Sequence, residues 1–205
     1  LTGPEYAAIY EDRVNERDVE TWLKTTVTDL TDDRLITVRN EKGVQTIQAG
    51  AVVIATGCRE RTRGAIGTAG TRPAGVYTAG SVQNYMNVRN LAVGRKVVIL
   101  GSGDIGLIMA RRLTLEGAEV VCVAEILPQP SGIAGNLVRC LEDFDIPLYL
   151  STTVAEIHGK ERVTGVTLAE VGPKMGEIKG TRRFVECDTL LLSVGLIPET
   201  ELAVN

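Results

Sequence analysis

The run Lys96-Val97-Val98-Ile99-Leu100 passes directly into Gly101-Ser102-Gly103-Asp104-Ile105-Gly106, an apolar strand feeding a glycine turn that opens a helix. The pattern constrains the fold tightly because each glycine meets a different steric need. Gly101 permits the tight turn, Gly103 lets the backbone approach a pyrophosphate, and Gly106 lets the helix pack close to the strand. A second apolar strand, Val120-Val121-Cys122-Val123-Ala124, ends at Glu125 and completes the strand–helix–strand context that a dinucleotide fingerprint requires. The expected fold class is α/β, with a Rossmann-like nucleotide-binding domain built on a central parallel sheet.

Free amides and the helix dipole at such a turn favour an anion without help from a lysine. No Gly-Lys-Ser/Thr follows, which argues against a nucleoside triphosphatase. Glu125 sets the nucleotide type in this reading. A carboxylate there accepts hydrogen bonds from ribose hydroxyls and repels a 2′-phosphate, so NAD(H) is expected over NADP(H). The following residues, Ile126, Leu127 and Pro128, supply no arginine for that phosphate. ADP or FAD in place of NAD stays open at this point, as does a plain glycine turn beside an ordinary surface glutamate.

The mildly acidic composition, net charge −4 with no basic run, lacks the electrostatic footprint of a nucleic-acid binder. No apolar segment reaches the roughly 20 residues of a membrane span, so a cytoplasmic location is expected. Cys58, Cys122, Cys140 and Cys187 show neither CxxC nor metal-ligand spacing and read as reduced thiols, with no metal site. His158, the single histidine, lies in the turn-like stretch His158-Gly159-Lys160-Glu161-Arg162 and reads as a hairpin residue rather than a catalytic base.

Ahead of the fingerprint, a short helix is expected over Pro4 to Val14 and strands over Val19 to Asp29 and Leu35 to Val38. Asn40-Glu41-Lys42-Gly43 reads as a hairpin turn, and Ala51 to Ala55 as a continuous apolar strand of a parallel sheet. After the fingerprint, Ile105, Ile108, Met109 and Leu113 trace an apolar helical stripe, with Gly117 where a C-terminal cap belongs. Leu137, Leu141 and Phe144 suggest a second helix before the strand Pro147-Leu148-Tyr149-Leu150. The order also repeats. Leu23-Lys24-Thr25-Thr26-Val27-Thr28-Asp29-Leu30 parallels Leu150-Ser151-Thr152-Thr153-Val154-Ala155-Glu156-Ile157, and in both halves a meander and an apolar strand ending in glycine follow. The first copy lacks the strand, glycine turn and helix of the second, so the sequence reads as an internal fragment of a larger protein.

Val53-Ile54-Ala55-Thr56-Gly57, the later GxGxxG, and Leu192-Ser193-Val194-Gly195-Leu196-Ile197-Pro198 together resemble the two-dinucleotide-domain flavoproteins of the pyridine nucleotide-disulfide oxidoreductase superfamily. The resemblance implies that residues 1–91 form part of an FAD domain and 92–205 an NAD domain, its sheet crossed over by a β-meander. It places Ala55, Thr56 and Gly57 near FAD in the intact protein, and Gly195 at the corresponding turn of the NAD half. For both segments a simple strand exit remains an alternative. A narrower likeness lies in Gly57-Cys58-Arg59-Glu60-Arg61-Thr62-Arg63-Gly64 and Thr71-Arg72-Pro73-Ala74-Gly75-Val76-Tyr77-Thr78-Ala79-Gly80. It resembles the branch containing opine, sarcosine and proline oxidoreductase large subunits, hydrogen cyanide synthase and glycerol-3-phosphate dehydrogenase-associated flavoproteins. Arg59, Arg61 and Arg63 could hold a pyrophosphate or an acidic substrate, with structural roles slightly favoured.

The CxxxxC pair and late histidine of the disulfide reductases are not within these residues, and Cys58 has no second thiol at useful spacing. A redox pair elsewhere in the intact protein stays open, but the narrower resemblance implies flavin-mediated dehydrogenation without one. The expected function is therefore that of an FAD-dependent oxidoreductase binding NAD(H) at Gly101, Ser102, Gly103, Asp104, Ile105 and Gly106, with Glu125 on the ribose and hydride passing between nicotinamide and flavin. No residue stands out as a catalytic acid or base. The alternative is a noncatalytic or vestigial NAD module of an amine or amino-acid dehydrogenase subunit. Partners implied by the resemblance are a small-molecule substrate and an electron-acceptor subunit or iron–sulfur partner; a homo-oligomer is compatible with the sequence.

Overall fold

The computed structural model describes residues 2–203, which divide into two compact units, one of residues 2–57 with 199–203 and one of residues 58–198. In the first, helix α1 (Gly3–Asn15) starts with a capping box: Thr2 Oγ1 accepts from Glu5 N, and the Glu5 carboxylate accepts from Thr2 N. Strands β1 (Thr26–Leu30), β2 (Leu35–Asn40) and β3 (Gly43–Gln48) form an antiparallel meander. Asn40 and Gly43 close the expected hairpin, with Asn40 Oδ1 accepting from Lys42 N at 2.9 Å.

Two expectations fail in this unit. Residues 19–25 lie outside β1, and the apolar run Ala51–Ala55 forms no strand, with Val53 90% exposed. A run apolar on both faces is stable as a strand only between neighbours that pair its backbone and cover both faces. The three-stranded sheet here offers it neither.

The second unit opens with β4 (Cys58–Glu60), α2 (Arg63–Ile66), β5 (Ala69–Gly70), β6 (Val76–Thr78) and α3 (Ala79–Asn87). It continues through β7 (Lys96–Leu100), α4 (Asp104–Leu115), β8 (Glu119–Ala124), α5 (Ala134–Cys140) and β9 (Leu148–Tyr149). The meander β10 (Thr152–Gly159), β11 (Val163–Glu170) and β12 (Arg183–Glu186) then leads to β13 (Thr189–Leu192) and β14 (Leu196–Pro198). The five-stranded sheet runs β6-β13-β7-β8-β9, every pair parallel. The fold is thus α/β, and its meander is the crossover that carries the chain from the β9 edge back to the centre.

Strand alternation divides the core. Val97, Ile99, Val123 and Leu191 face the helices, where Val82, Met86, Leu107, Met109 and Leu113 pack. Val98, Leu100, Cys122, Leu190 and Leu192 face the meander, against Val154, Ile157, Val166 and Leu168. Helix α4 buries Gly106, Leu107, Met109, Ala110 and Leu113, whereas Ile105 and Ile108 of the expected stripe are exposed. Close packing at Gly106 turns the 106/110/113 face inward and leaves Ile105 and Ile108 toward solvent. Gly117 follows the helix at φ +86°, with its N–H donating to Thr114 O, and closes α4 as expected. The second expected helix is a short α5 followed by a 3₁₀ turn at Glu142–Phe144.

The internal repeat extends to an irregularity. The β1–β2 register slips between Val27 and Asp29, and the β10–β11 register slips between Val154 and Glu156. These are matched positions in the two copies, so the bulged residues Thr28 and Ala155 correspond.

Candidate functional site

The glycine turn stands at the carboxyl end of β7, between the ends of β8 and β13. Gly101 N donates to Ala124 O at 2.7 Å, and Ser193 N donates to Leu100 O at 2.7 Å. Gly101 has φ +98°, and a Cβ there would lie 2.0 Å from the backbone oxygen of Ser193. A Cβ on Gly106 would meet Gly101 O and Ser193 Cβ, each at 2.8 Å. Steric demand alone therefore fixes glycine at both positions. Gly103 is the N-cap of α4 and supplies no side-chain cap, so the first-turn amides are left to other acceptors.

A cleft of about 720 Å³ opens over this turn. Gly101, Gly103, Glu125 and Gly195 of the expected site line it, together with Arg61, Ser131, Ser193 and the bulged Ala155. Its walls include the apolar Ile66, Leu100, Ile126, Leu127, Val154 and Val194. Such a crevice outside the carboxyl ends of parallel strands is where open α/β sheets take ligands. Ser102, Asp104, Ile105 and Gly106 belong to the same turn but stand behind or beside the lining. Ser102 is fully buried and Ile105 points to solvent.

Glu125 is the most heavily engaged side chain of the site. It is only 3% exposed, and its Oε2 accepts from Ser102 N at 2.9 Å, Ser102 Oγ at 2.5 Å and Ser131 Oγ at 2.9 Å. Oε1 accepts from Leu127 N at 3.0 Å. Burial alone would raise its pKa, but the bonds from Ser102, Leu127 and Ser131 together outweigh that and hold the carboxyl below the usual range. Asp104 carries a second carboxylate at the start of α4. It accepts from Ile133 N and Asn136 Nδ2, which lower its pKa in that order. Ser131, Gly132 and Ile133 therefore form a strap tied to the glycine turn, and a Cβ on Gly132 would collide with Leu107 and with Ser102 O. The Glu125 motif points to an acid at the strand end, but its serine partners carry no local sequence signal.

The three arginines of the 59–63 stretch separate by role. Arg63 donates to the carbonyls of Thr68, Gly70 and Thr71 and shapes the wall formed by Gly67–Ala69. Arg59 lies in the β4–β14 ladder opposite Ile197. Arg61 is anchored by its backbone N–H to Gly195 O at 3.0 Å, and its exposed side chain has no bonded partner among the described residues. Between them, Glu60 accepts from Gly80 N through both carboxylate oxygens at 2.9 Å, which caps α3 from outside the helix.

Ala55, Thr56 and Gly57 belong to the first unit. Thr56 Oγ1 donates to Glu199 O at 2.6 Å, and Glu199 N donates to Gly57 O at 3.1 Å. Residues 2–57 contain no second GxGxxG, so these three residues alone do not make a flavin phosphate site. His158 is absent from the cleft lining and instead meets Thr167 Oγ1 at 2.7 Å across the β10–β11 hairpin.

The family profile described as pyridine nucleotide-disulphide oxidoreductase matches residues 2–205. A probable ferredoxin reductase, CtmF, of Castellaniella defragrans is 31% identical over 160 residues, 75% of this chain and 36% of its own length. The sarcosine oxidase alpha subunit of Rhizobium meliloti is 33% identical over 82 residues, 40% of this chain and 8% of its own. Among solved structures, T. acidophilum thioredoxin reductase superposes with a TM-score of 0.72 at 23% identity, covering 98% of this chain and 62% of that one. The chain thus spans little more than a third of the ferredoxin reductase and a small part of the sarcosine oxidase subunit.

Proposed function

Because the chain belongs to the pyridine nucleotide-disulphide oxidoreductase family, whose members are FAD- and NAD(P)-dependent oxidoreductases, we propose that it forms the NAD(H)-binding part of such an enzyme and supports hydride transfer between nicotinamide and FAD. The observation that carries this reading is the cleft at the carboxyl edge of the parallel sheet, with the glycine turn on one side and Gly195 on the other. The turn has the fit a dinucleotide needs, since any Cβ at Gly101 is excluded. Gly101, Ser102, Gly103, Asp104, Ile105 and Gly106 would flank the pyrophosphate. Glu125 would meet the adenosine ribose through Oε1, which accepts a single hydrogen bond and has capacity for another.

When bound, the nicotinamide and flavin supply the redox chemistry. The residues of this chain bind and orient the donor, and the apolar walls of the cleft exclude water. In this division residues 1–91 contribute to FAD binding through Ala55, Thr56 and Gly57, and 92–205 bind NAD, with Arg61 and residues 66–69 adding to the wall of the NAD cleft. The remainder of the flavin site must come from residues other than these. The ferredoxin reductase and sarcosine oxidase relatives support an electron-acceptor subunit or iron–sulfur partner, with a small molecule as ultimate substrate. The four free cysteines support a reducing, cytoplasmic location.

A second reading is favoured by one specific observation, the commitment of Ser102 N–H to Glu125 inside the glycine turn. Under it the module binds NAD for structure or sensing and passes no hydride. Anaerobic mixing of the full-length flavoprotein with NADH separates the two. Loss of the oxidised flavin absorbance is expected; tight NADH binding with no change in the flavin spectrum overturns hydride transfer. Calorimetric titration with NADH, NADPH and ADP tests Glu125 in parallel, and tighter NADPH binding would overturn the choice of NAD.

A further inference from the structure

We infer that Arg61 is the anion-recognising residue of the cleft and binds the pyrophosphate of a dinucleotide seated at the glycine turn, an inference that rests on the dinucleotide reading above. A glycine turn draws phosphate with uncommitted amides and the positive end of its helix. In this chain part of that attraction is already used. Ser102 N–H is spent on Glu125 Oε2 at 2.9 Å, and the Asp104 carboxylate sits at the first position of α4. Both acids are therefore fixed charges beside the place where a pyrophosphate would rest, and they oppose it.

Something must offset them, and the cleft contains one cation. Among the described lining residues Arg61 is the sole lysine, arginine or histidine. Its position is built rather than incidental: its N–H donates to Gly195 O at 3.0 Å, which ties it to the exit of β13 directly beside the glycine turn. Its side chain is exposed and bonded to nothing among the described residues, so binding an anion sacrifices no internal contact. Two residues on, Arg63 is consumed by the carbonyls of Thr68, Gly70 and Thr71, and the same chemistry is therefore not available from it. A guanidinium also matches paired phosphate oxygens with a planar fork of donors, which an ammonium cannot do.

The test titrates NADH and ADP into the full-length protein and its Arg61→Gln and Arg61→Lys variants at low and high salt. Arg61→Gln is expected to weaken both ligands about tenfold or more and to flatten the salt dependence of binding. Arg61→Lys should recover part of the affinity at low salt only. The melting temperature without ligand should stay unchanged in both, because no internal bond is lost. Wild-type affinity and salt dependence in Arg61→Gln would overturn the assignment while leaving the dinucleotide site intact. A fall in unliganded melting temperature that accounts for the lost affinity would overturn it in favour of a structural role. A wild-type protein that binds neither NADH nor ADP would overturn the dinucleotide reading itself, and Arg61 with it.

Discussion

Glu125 concentrates four hydrogen bonds on one buried carboxylate, and its removal should be felt well beyond the nucleotide. Glu125→Gln keeps the shape but turns one acceptor into a donor, leaving a backbone or hydroxyl donor unsatisfied. We expect a loss of about 2–4 kcal/mol in chemical denaturation. The pH dependence follows from the lowered pKa. The carboxylate's contribution is fully present above the ordinary range near about 4.3 and is lost as pH falls through the lower folded-state value, so wild type should lose stability in acid more steeply than Glu125→Gln. The thiols provide a second residue-scale test. Burial pushes Cys122 up to about 11 and Cys187 up to about 12, and raises Cys140 as well, whereas Cys58 is exposed. A thiol reagent at neutral pH should therefore modify one cysteine in the native protein and all four after unfolding.

Elements sharpen the point, because they are where steric and pairing demands meet. Arg63 holds the Gly67–Thr71 segment by three of its carbonyls, and Gly70 within it approaches β10 so closely that a Cβ would lie 2.1 Å from Ile157 O. Arg63→Ala should free this wall of the cleft, cost about 1–3 kcal/mol, and raise hydrogen exchange at residues 67–71 while sparing β7 and β8. The strand–turn–helix around Gly101 was legible in the sequence because local sterics dictate it. So were the β2–β3 hairpin, the closing glycine of α4 and the repeat, whose matched bulges at Thr28 and Ala155 only the folded chain reveals. Ala51–Ala55 was not, since an apolar run becomes a strand only when partners flank it. The buried face of α4 escaped a count of large apolar residues because the close approach at Gly106 orients the helix, turning Leu107 and Ala110 inward and Ile105 and Ile108 outward. Arg61 was visible only as one of three alternating arginines. What distinguishes it is that its side chain has no bonded partner among the described residues, a property of the folded chain.

At the scale of the whole molecule, the two units differ in how much they bury. Helix α1 buries no residue, and Tyr6, Ile9, Tyr10, Val53 and Trp22 are all exposed in the first unit, whereas both apolar clusters among the described residues draw entirely on the second. Limited proteolysis should accordingly cut first in the segment around residues 50–57 and leave a resistant product starting near Cys58, checked by mass spectrometry of the fragments. The strand order has a consequence for how the protein is made. Strand β13, which takes the central place between β6 and β7, is the last of the five to be synthesised. While the ribosome is still adding the meander, β6 and β7 each carry an unpaired edge toward a gap that only residues 189–192 can fill. The sheet therefore closes late, across a long loop, and the nascent chain must be kept from pairing those two edges with anything else until β13 arrives.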